Sequence, residues 1–131
     1  MKKVAVVMAG TSGLGRACAE ALAAASHEVV VCARRADALE RTVSALRAKG
    51  SDALGIPADV SKRDDLERVF VATEQRFGRL DVLVTNAGGP PPGTLLPVTD
   101  EQWSAAYELP LMSAVRAMRA AVAPHRTPPF S

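Results

Sequence analysis

Four short apolar runs alternate with longer segments of helical period, and this alternation restricts the fold more than any other feature of the chain. Val4 to Met8, Val29 to Cys32 and Val82 to Thr85 are continuous and rich in valine, which suits strands covered on both faces. Ala53 to Ile56 is a weaker fourth run, short and interrupted by Gly55. Successive runs begin roughly 25 residues apart, room for one helix and two turns, the size of a βαβ unit. Strands alternating with helices predict a Rossmann-type, doubly wound α/β sheet with all strands parallel. Right-handed crossovers and a reversal after the third strand give the order 3-2-1-4.

The intervening segments read as helices. Leu14, Ala17, Cys18, Ala21, Leu22 and Ala25 form an apolar stripe of mostly small residues, suited to close packing on a sheet. Leu39, Val43 and Leu46 form a second stripe, closed by Gly50 at the C′ position. Leu66, Val69, Phe70, Thr73 and Phe77 form a third, with Ser61 and Asp64 spaced as a capping box and Gly78 as the stop. A Gly/Pro-rich loop then runs from Asn86 to Pro97, and Thr99 or Asp100 caps a helix carrying Trp103, read as a packing anchor. Pro110 falls inside that helix; it removes a donor and clashes with the preceding turn at a cost of about 3 kcal/mol, so a kink or break is expected. The domain is expected to span residues 1–123, with 124–131 a proline-rich tail.

Composition narrows the function. The formal charge is +2 and no Lys/Arg run exceeds two residues, which argues against nucleic acid as a partner. Met1-Lys2-Lys3 and the apolar residues to Ala9 are too short for a signal peptide, and no run reaches the ~20 apolar residues of a membrane span. A cytoplasmic protein is expected. Counting leaves a Cys18–Cys32 disulfide and two reduced thiols both open, and packed, reduced thiols are the reading adopted. No Cys/His spacing suggests a metal. His27 is placed at the start of strand two and His125 in the tail, neither with a catalytic partner nearby in sequence.

The chemistry lies at the ends of the apolar runs. Ala9-Gly10-Thr11-Ser12-Gly13-Leu14-Gly15-Arg16 follows the first strand and opens a helix. Glycines there let the backbone approach a pyrophosphate, and the helix start offers free N–H groups and a positive dipole end. Ser12 belongs to this turn and is not read as a nucleophile. The second strand ends Val31-Cys32-Ala33-Arg34-Arg35, with no acid between Val29 and Arg35. An acid in this region would bind the ribose hydroxyls of NAD, whereas a guanidinium pairs with the 2′-phosphate of NADP, with Arg34 the better placed of the two. Asp59-Val60 after the third run is placed to reach an adenine edge. Asn86-Ala87-Gly88 follows the fourth run at its carboxyl end, where open α/β sheets bind ligands.

Together these residues resemble the short-chain dehydrogenase/reductase family, from Lys3 to about His125, corresponding to the first half of a typical member. The loop from Asn86 to Gly93 is most similar to the branch of 3-oxoacyl-carrier-protein reductases. The resemblance implies that Gly13 and Gly15 hold the pyrophosphate, that Asp59 contacts adenine, and that Asn86, Ala87 and Gly88 stabilise the sheet beside the cofactor. The family's first turn reads Thr-Gly-x-x-x-Gly-x-Gly. Anchored on Gly13 and Gly15, Met8 takes the place of its Thr and Ala9 that of its first Gly, with Gly10 displaced by one. Family catalysis uses a Tyr and a Lys four residues apart, an upstream Ser, and an Asn in the helix after the Asn-Ala-Gly loop. Here the single tyrosine is Tyr107, the residue four on is Leu111, the last lysine is Lys62, and the Asn aligns with Pro110. No catalytic residue is therefore assigned.

The expectation is an NADP(H)-binding portion of a carbonyl reductase or alcohol dehydrogenase lineage, without turnover of its own. A non-catalytic nucleotide-binding or interaction module is the competing reading. A Rossmann methyltransferase shares the glycine turn, but the paired arginines and the Asn-Ala-Gly loop speak against it. An open edge at Val82 to Thr85 predicts marginal stability or self-association there or through the helix over 100–122.

Overall fold

Valine-rich strands with no polar face require cover on both sides, and the fold supplies it with helices in two layers. The structure, a computed structural model, describes residues 1–87 and 93–122. Gly88 and the expected tail over 124–131 lie outside them. The strands are β1 (Val4–Met8), β2 (Glu28–Ala33), β3 (Leu54–Pro57) and β4 (Val82–Val84). They form one parallel sheet in the order β3-β2-β1-β4. Helices α1 (Gly13–Ala24), α2 (Ala36–Ala48) and α3 (Arg63–Phe77) alternate with them, and α4 (Asp100–Ala106) follows β4.

The period of two along a strand divides the core. Val6, Met8, Val30, Cys32 and Ile56 face Leu66, Val69 and Phe70 of α3 and Ala117 of the last helix. Val7, Val29 and Val31 face Ala19 and Ala23 of α1 and Leu39, Val43 and Leu46 of α2. All five residues of β1 are buried, as expected of a central parallel strand.

Helix α1 turns a different face to the sheet from the one its apolar residues predict. Gly15, Ala19 and Ala23 are buried, Cys18 and Leu22 are half-buried beside them, and Leu14 is 82% exposed. Gly15 shows why: a Cβ there would lie 2.2 Å from the carbonyl oxygen of Ala9. The helix starts so close to the first turn that its smallest residues, rather than its most apolar, set the contact. For α2 and α3 the predicted stripes are the buried ones.

Two further expectations are corrected. The Ser61–Asp64 capping box does not form, because Ser61 Oγ donates to Asp59 instead (2.6 Å) and α3 begins after Lys62 with no side-chain cap. Trp103 is no packing anchor, being 53% exposed. At the start of α4 it is Thr99 that caps: Thr99 Oγ1 accepts from the Gln102 N–H (3.2 Å), and Gln102 Oε1 accepts from the Thr99 N–H (2.8 Å). Pro110 does not end the helical run. A π-helical segment, Tyr107–Met112, absorbs it and leads into α5 (Ser113–Val122). The buried Ser113 hydroxyl donates to the Leu109 carbonyl, partnering a carbonyl within the distorted segment.

Candidate functional site

The parallel sheet brings the carboxyl ends of β1, β2 and β3 to one rim, and a cleft of about 570 Å³ opens there. The first turn contributes Ala9, Thr11 and Ser12; the end of β2 contributes Ala33, Arg34 and Arg35; the end of β3 contributes Ala58 to Ser61. Ala105, Glu108 and Leu109 close the far wall from α4 and the π-helical segment. Sequence reasoning missed these three. Glu108 is held by Arg116 one helix on (3.0 Å), and such a pair has no signature apart from the fold that builds it.

The glycine turn is tighter than its spacing suggests. Ala9 takes a left-handed φ of +51° at the position where the family pattern has glycine, so a methyl group sits in backbone geometry that disfavours it. Gly10 answers to packing: its N–H donates to the Cys32 carbonyl (3.3 Å), and a Cβ on it would meet Val31 Cγ1 at 2.8 Å. Gly13 opens α1 with a φ of +55° and open space around its missing side chain. Gly15 lies against the Ala9 carbonyl, which also accepts from Asn86 Nδ2 (3.4 Å). The turn and the start of the Asn86-Ala87 segment, 77 residues apart, therefore meet at one carbonyl oxygen. Asn86 and Ala87 are half-buried beyond β4.

The two arginines separate clearly. Arg35 is locked to Asp37 through Nη2 at 2.9 Å and Nε at 3.3 Å. Arg34 is exposed and makes no hydrogen bond or ion pair among the described residues. Its charge reaches Asp59 across the cleft. Asp59 is held below the usual carboxylate range, chiefly by the Ser61 hydroxyl and then by the Ser61 N–H (3.0 Å), with Lys62 and Arg34 adding attraction. The Asp59 N–H in turn donates to Asp65 Oδ2 (2.8 Å). The rim is thus a backbone cradle with a free guanidinium on one flank and an ionised carboxylate on the other, an arrangement suited to a phosphate-bearing nucleotide with a donor on its base.

Among the described residues, nothing at the rim forms a nucleophile–base pair. Cys18 and Cys32 are free thiols, and burial pushes Cys32 up to about 11, which makes it inert. Tyr107 is 55% exposed on the helical run. Among the described residues, no group of three or more His, Cys, Asp and Glu side chains is arranged to hold a metal, and no helix is long and apolar enough to cross a membrane.

Comparison with known proteins agrees with this geometry. The family described as short chain dehydrogenase matches residues 3–126. A relative named for ketoacyl reduction in the monensin polyketide synthase of Streptomyces virginiae is 40% identical over 118 residues, covering 90% of this chain and 45% of its own. Dehydrogenase/reductase SDR family member 4 of Oryctolagus cuniculus is 37% identical over 123 residues, covering 93% and 47%. The solved structure of L-sorbose reductase from Gluconobacter frateurii, complexed with NADPH and L-sorbose, superposes with a TM-score of 0.88 at 35% identity, covering 93% of this chain and 47% of that one. A variant actinorhodin polyketide ketoreductase with NADPH gives 0.87 at 35% identity, covering 92% and 46%. The chain spans about half the length of these relatives. With the family's description matching residues 3–126 and relatives of the same kind matching nearly the whole of it, this chain belongs to the short-chain dehydrogenase family.

Proposed function

We propose that this chain is the NADP(H)-binding portion of a short-chain oxidoreductase of the carbonyl reductase or alcohol dehydrogenase lineage, nearest the ketoacyl reductases, and that it does not turn over substrate alone. The observation that carries the cofactor choice is the free guanidinium of Arg34 at the cleft, in a strand end without an acid between Val29 and Arg35. That charge suits a 2′-phosphate and offers the bare 2′-hydroxyl of NADH no matching acceptor. Gly10, Thr11, Ser12, Gly13, Leu14 and Gly15 form the pyrophosphate turn, Asp59 and Val60 the adenine rim, and Asn86 and Ala87, with Gly88 next in sequence, the support beside the cofactor. Arg35 steadies the loop through Asp37. When bound, NADPH supplies the hydride of a carbonyl reduction. This chain's residues bind and orient it.

Calorimetric titration tests the reading. Saturable binding of NADPH is expected, weaker binding of NADH, and a loss of about ten- to a hundredfold in NADPH affinity in Arg34→Ala with NADH unchanged. Equal affinity for both cofactors would defeat the assignment of Arg34. The same preparation is expected to show no NADPH oxidation with added ketones above background, because no lysine follows Lys62 and Pro110 stands where the family has Asn. Turnover that co-purifies with the chain and survives removal of contaminants would refute that.

Pro110, which stands where the family has its helix Asn, supports a second reading, a nucleotide-binding interaction module. Exposed Trp103, Tyr107, Leu111, Met118 and Val122 along α4 to α5 support self-association through the 100–122 helix in either case. A cytoplasmic location, in keeping with two free thiols, belongs to the same proposal.

A further inference from the structure

A cleft suited to phosphates holds two acids. Arg34 and the first turn favour negative charge, yet Asp59 lines the rim and Glu108 the far wall. A carboxylate repels a phosphate, so both acids suit a part of the ligand that carries a donor instead. Each has one oxygen engaged and one to spare. Asp59 Oδ1 accepts from the Ser61 hydroxyl and N–H (2.6 and 3.0 Å), and Asp59 Oδ2 accepts no hydrogen bond from a residue facing the cleft. Glu108 Oε2 is paired with Arg116 Nη1 (3.0 Å), and Glu108 Oε1 has no partner among the described residues. Arg116 reaches back from α5 to the π-helical segment. Its side chain is 22% exposed against 47% for Glu108, so the guanidinium is the steadier half and the carboxylate the half presented to the cleft. A pair this exposed contributes at most about 1 kcal/mol to stability. What it contributes here is direction.

We infer that Glu108, positioned by Arg116, reads the base of the nucleotide, its Oε1 accepting an N–H of the exocyclic amino group of adenine. This rests on the cofactor reading above. A pyrophosphate at the turn after β1 and a 2′-phosphate at Arg34 after β2 leave the base on the β3 side of the rim, facing the wall of Ala105, Glu108 and Leu109. Ala58, Val60 and Leu109 line that space with apolar surface for a ring. An amino group has two N–H bonds to give, so acids on two walls do not duplicate each other. A 6-oxopurine puts a carbonyl oxygen in the same place, which repels the carboxylate and leaves it unpaired. Glu108 thereby selects a 6-aminopurine.

The test is calorimetric titration of the whole chain with NADPH and with its hypoxanthine analogue, in which an oxygen replaces the amino group. The wild-type chain is expected to bind NADPH about tenfold or more tightly than the analogue. In Glu108→Gln, whose amide can turn to donate to the oxygen, that ratio is expected to fall to about twofold or less. Arg116→Gln leaves the carboxylate present but unheld and is expected to lower the ratio by about threefold, with Arg116→Lys restoring part of it. A merely structural role would weaken both ligands equally and leave the ratio alone. An unchanged ratio in Glu108→Gln overturns the inference, even where NADPH itself binds more weakly, because Glu108 then serves another donor. Equal binding of NADPH and the analogue by the wild-type chain, with NADPH still preferred to NADH, overturns it and leaves the cofactor reading standing. A folded chain that binds neither NADPH nor NADH overturns both.

Discussion

Ala9 and Gly15 sit on opposite sides of one carbonyl, and they bear opposite constraints. Ala9 holds a left-handed φ of +51°, which costs an L-residue roughly 1–2 kcal/mol. Glycine removes that cost but loses more chain entropy on folding, so Ala9→Gly is expected to stabilise the chain by about 1 kcal/mol, raising Tm in a thermal melt. A lower Tm would mean that the Ala9 methyl has packing value that its backbone conceals. Gly15→Ala goes the other way: its Cβ would stand 2.2 Å from the Ala9 oxygen and 2.9 Å from Asn86 Nδ2, and a loss of about 2 kcal/mol or more is expected, with NADPH binding weakened alongside. The sequence shows that glycines crowd this turn, and the family pattern shows that the first is misplaced. It does not show which residue carries the left-handed backbone, because that depends on how closely α1 packs. The sequence prefers Arg34 to Arg35 only because the second could face water, and the pairing of Arg35 with Asp37 is something the structure adds. Asp37 lies two residues beyond Arg35, where a local ion pair is easily made.

Among the elements, β4 is the shortest strand, and a side chain from its threshold joins it to the centre of the sheet. Asp81 Oδ2 accepts from the Val4 N–H (2.8 Å), and Arg79 grips the same carboxylate (2.7 and 2.8 Å). Arg79 first, and the Val4 N–H second, hold Asp81 down at about 2. The folded value lies below that of a free aspartate, near 3.9, so the stabilisation is complete above about pH 4 and fades as pH falls towards 2. Asp81→Asn is expected to cost roughly 1 kcal/mol at neutral pH after allowance for solvent screening, with the gap from wild type closing in urea melts between about pH 4 and 2. A gap independent of pH would assign the effect to shape rather than charge. Strand positions were legible because a parallel strand covered on both faces leaves an unbroken apolar run. The exposed side of α1 was not, because alanines on every face leave its period undecided until Gly15 fixes the contact. The π-helical segment at Pro110 was legible only as a disturbance, since proline announces a lost hydrogen bond without saying how the helix accommodates it.

At the scale of the whole molecule, burial is uneven. β1, β2 and the inner faces of α2 and α3 form a closed core, while the run from α4 to α5 buries only Ser113 and Ala117. Trp103, Tyr107, Leu111, Met118 and Val122 are all about half exposed and follow one another four or seven residues apart, the spacing of a helical stripe. Five large apolar side chains exposed along one run are the kind of surface that association would cover. Self-association is therefore expected at tens of micromolar in sedimentation equilibrium. Exchanging Trp103 and Leu111 together for serine is expected to shift the chain to monomer at the same concentration. Neither residue lines the cleft, so NADPH affinity should stay within about twofold. A wild-type chain that remains monomeric over that range would remove self-association from the reading. If instead the double variant dissociates and also loses NADPH binding, the helical run is holding the Ala105, Glu108 and Leu109 wall of the cleft in place, and assembly and cofactor binding are one property of this fold.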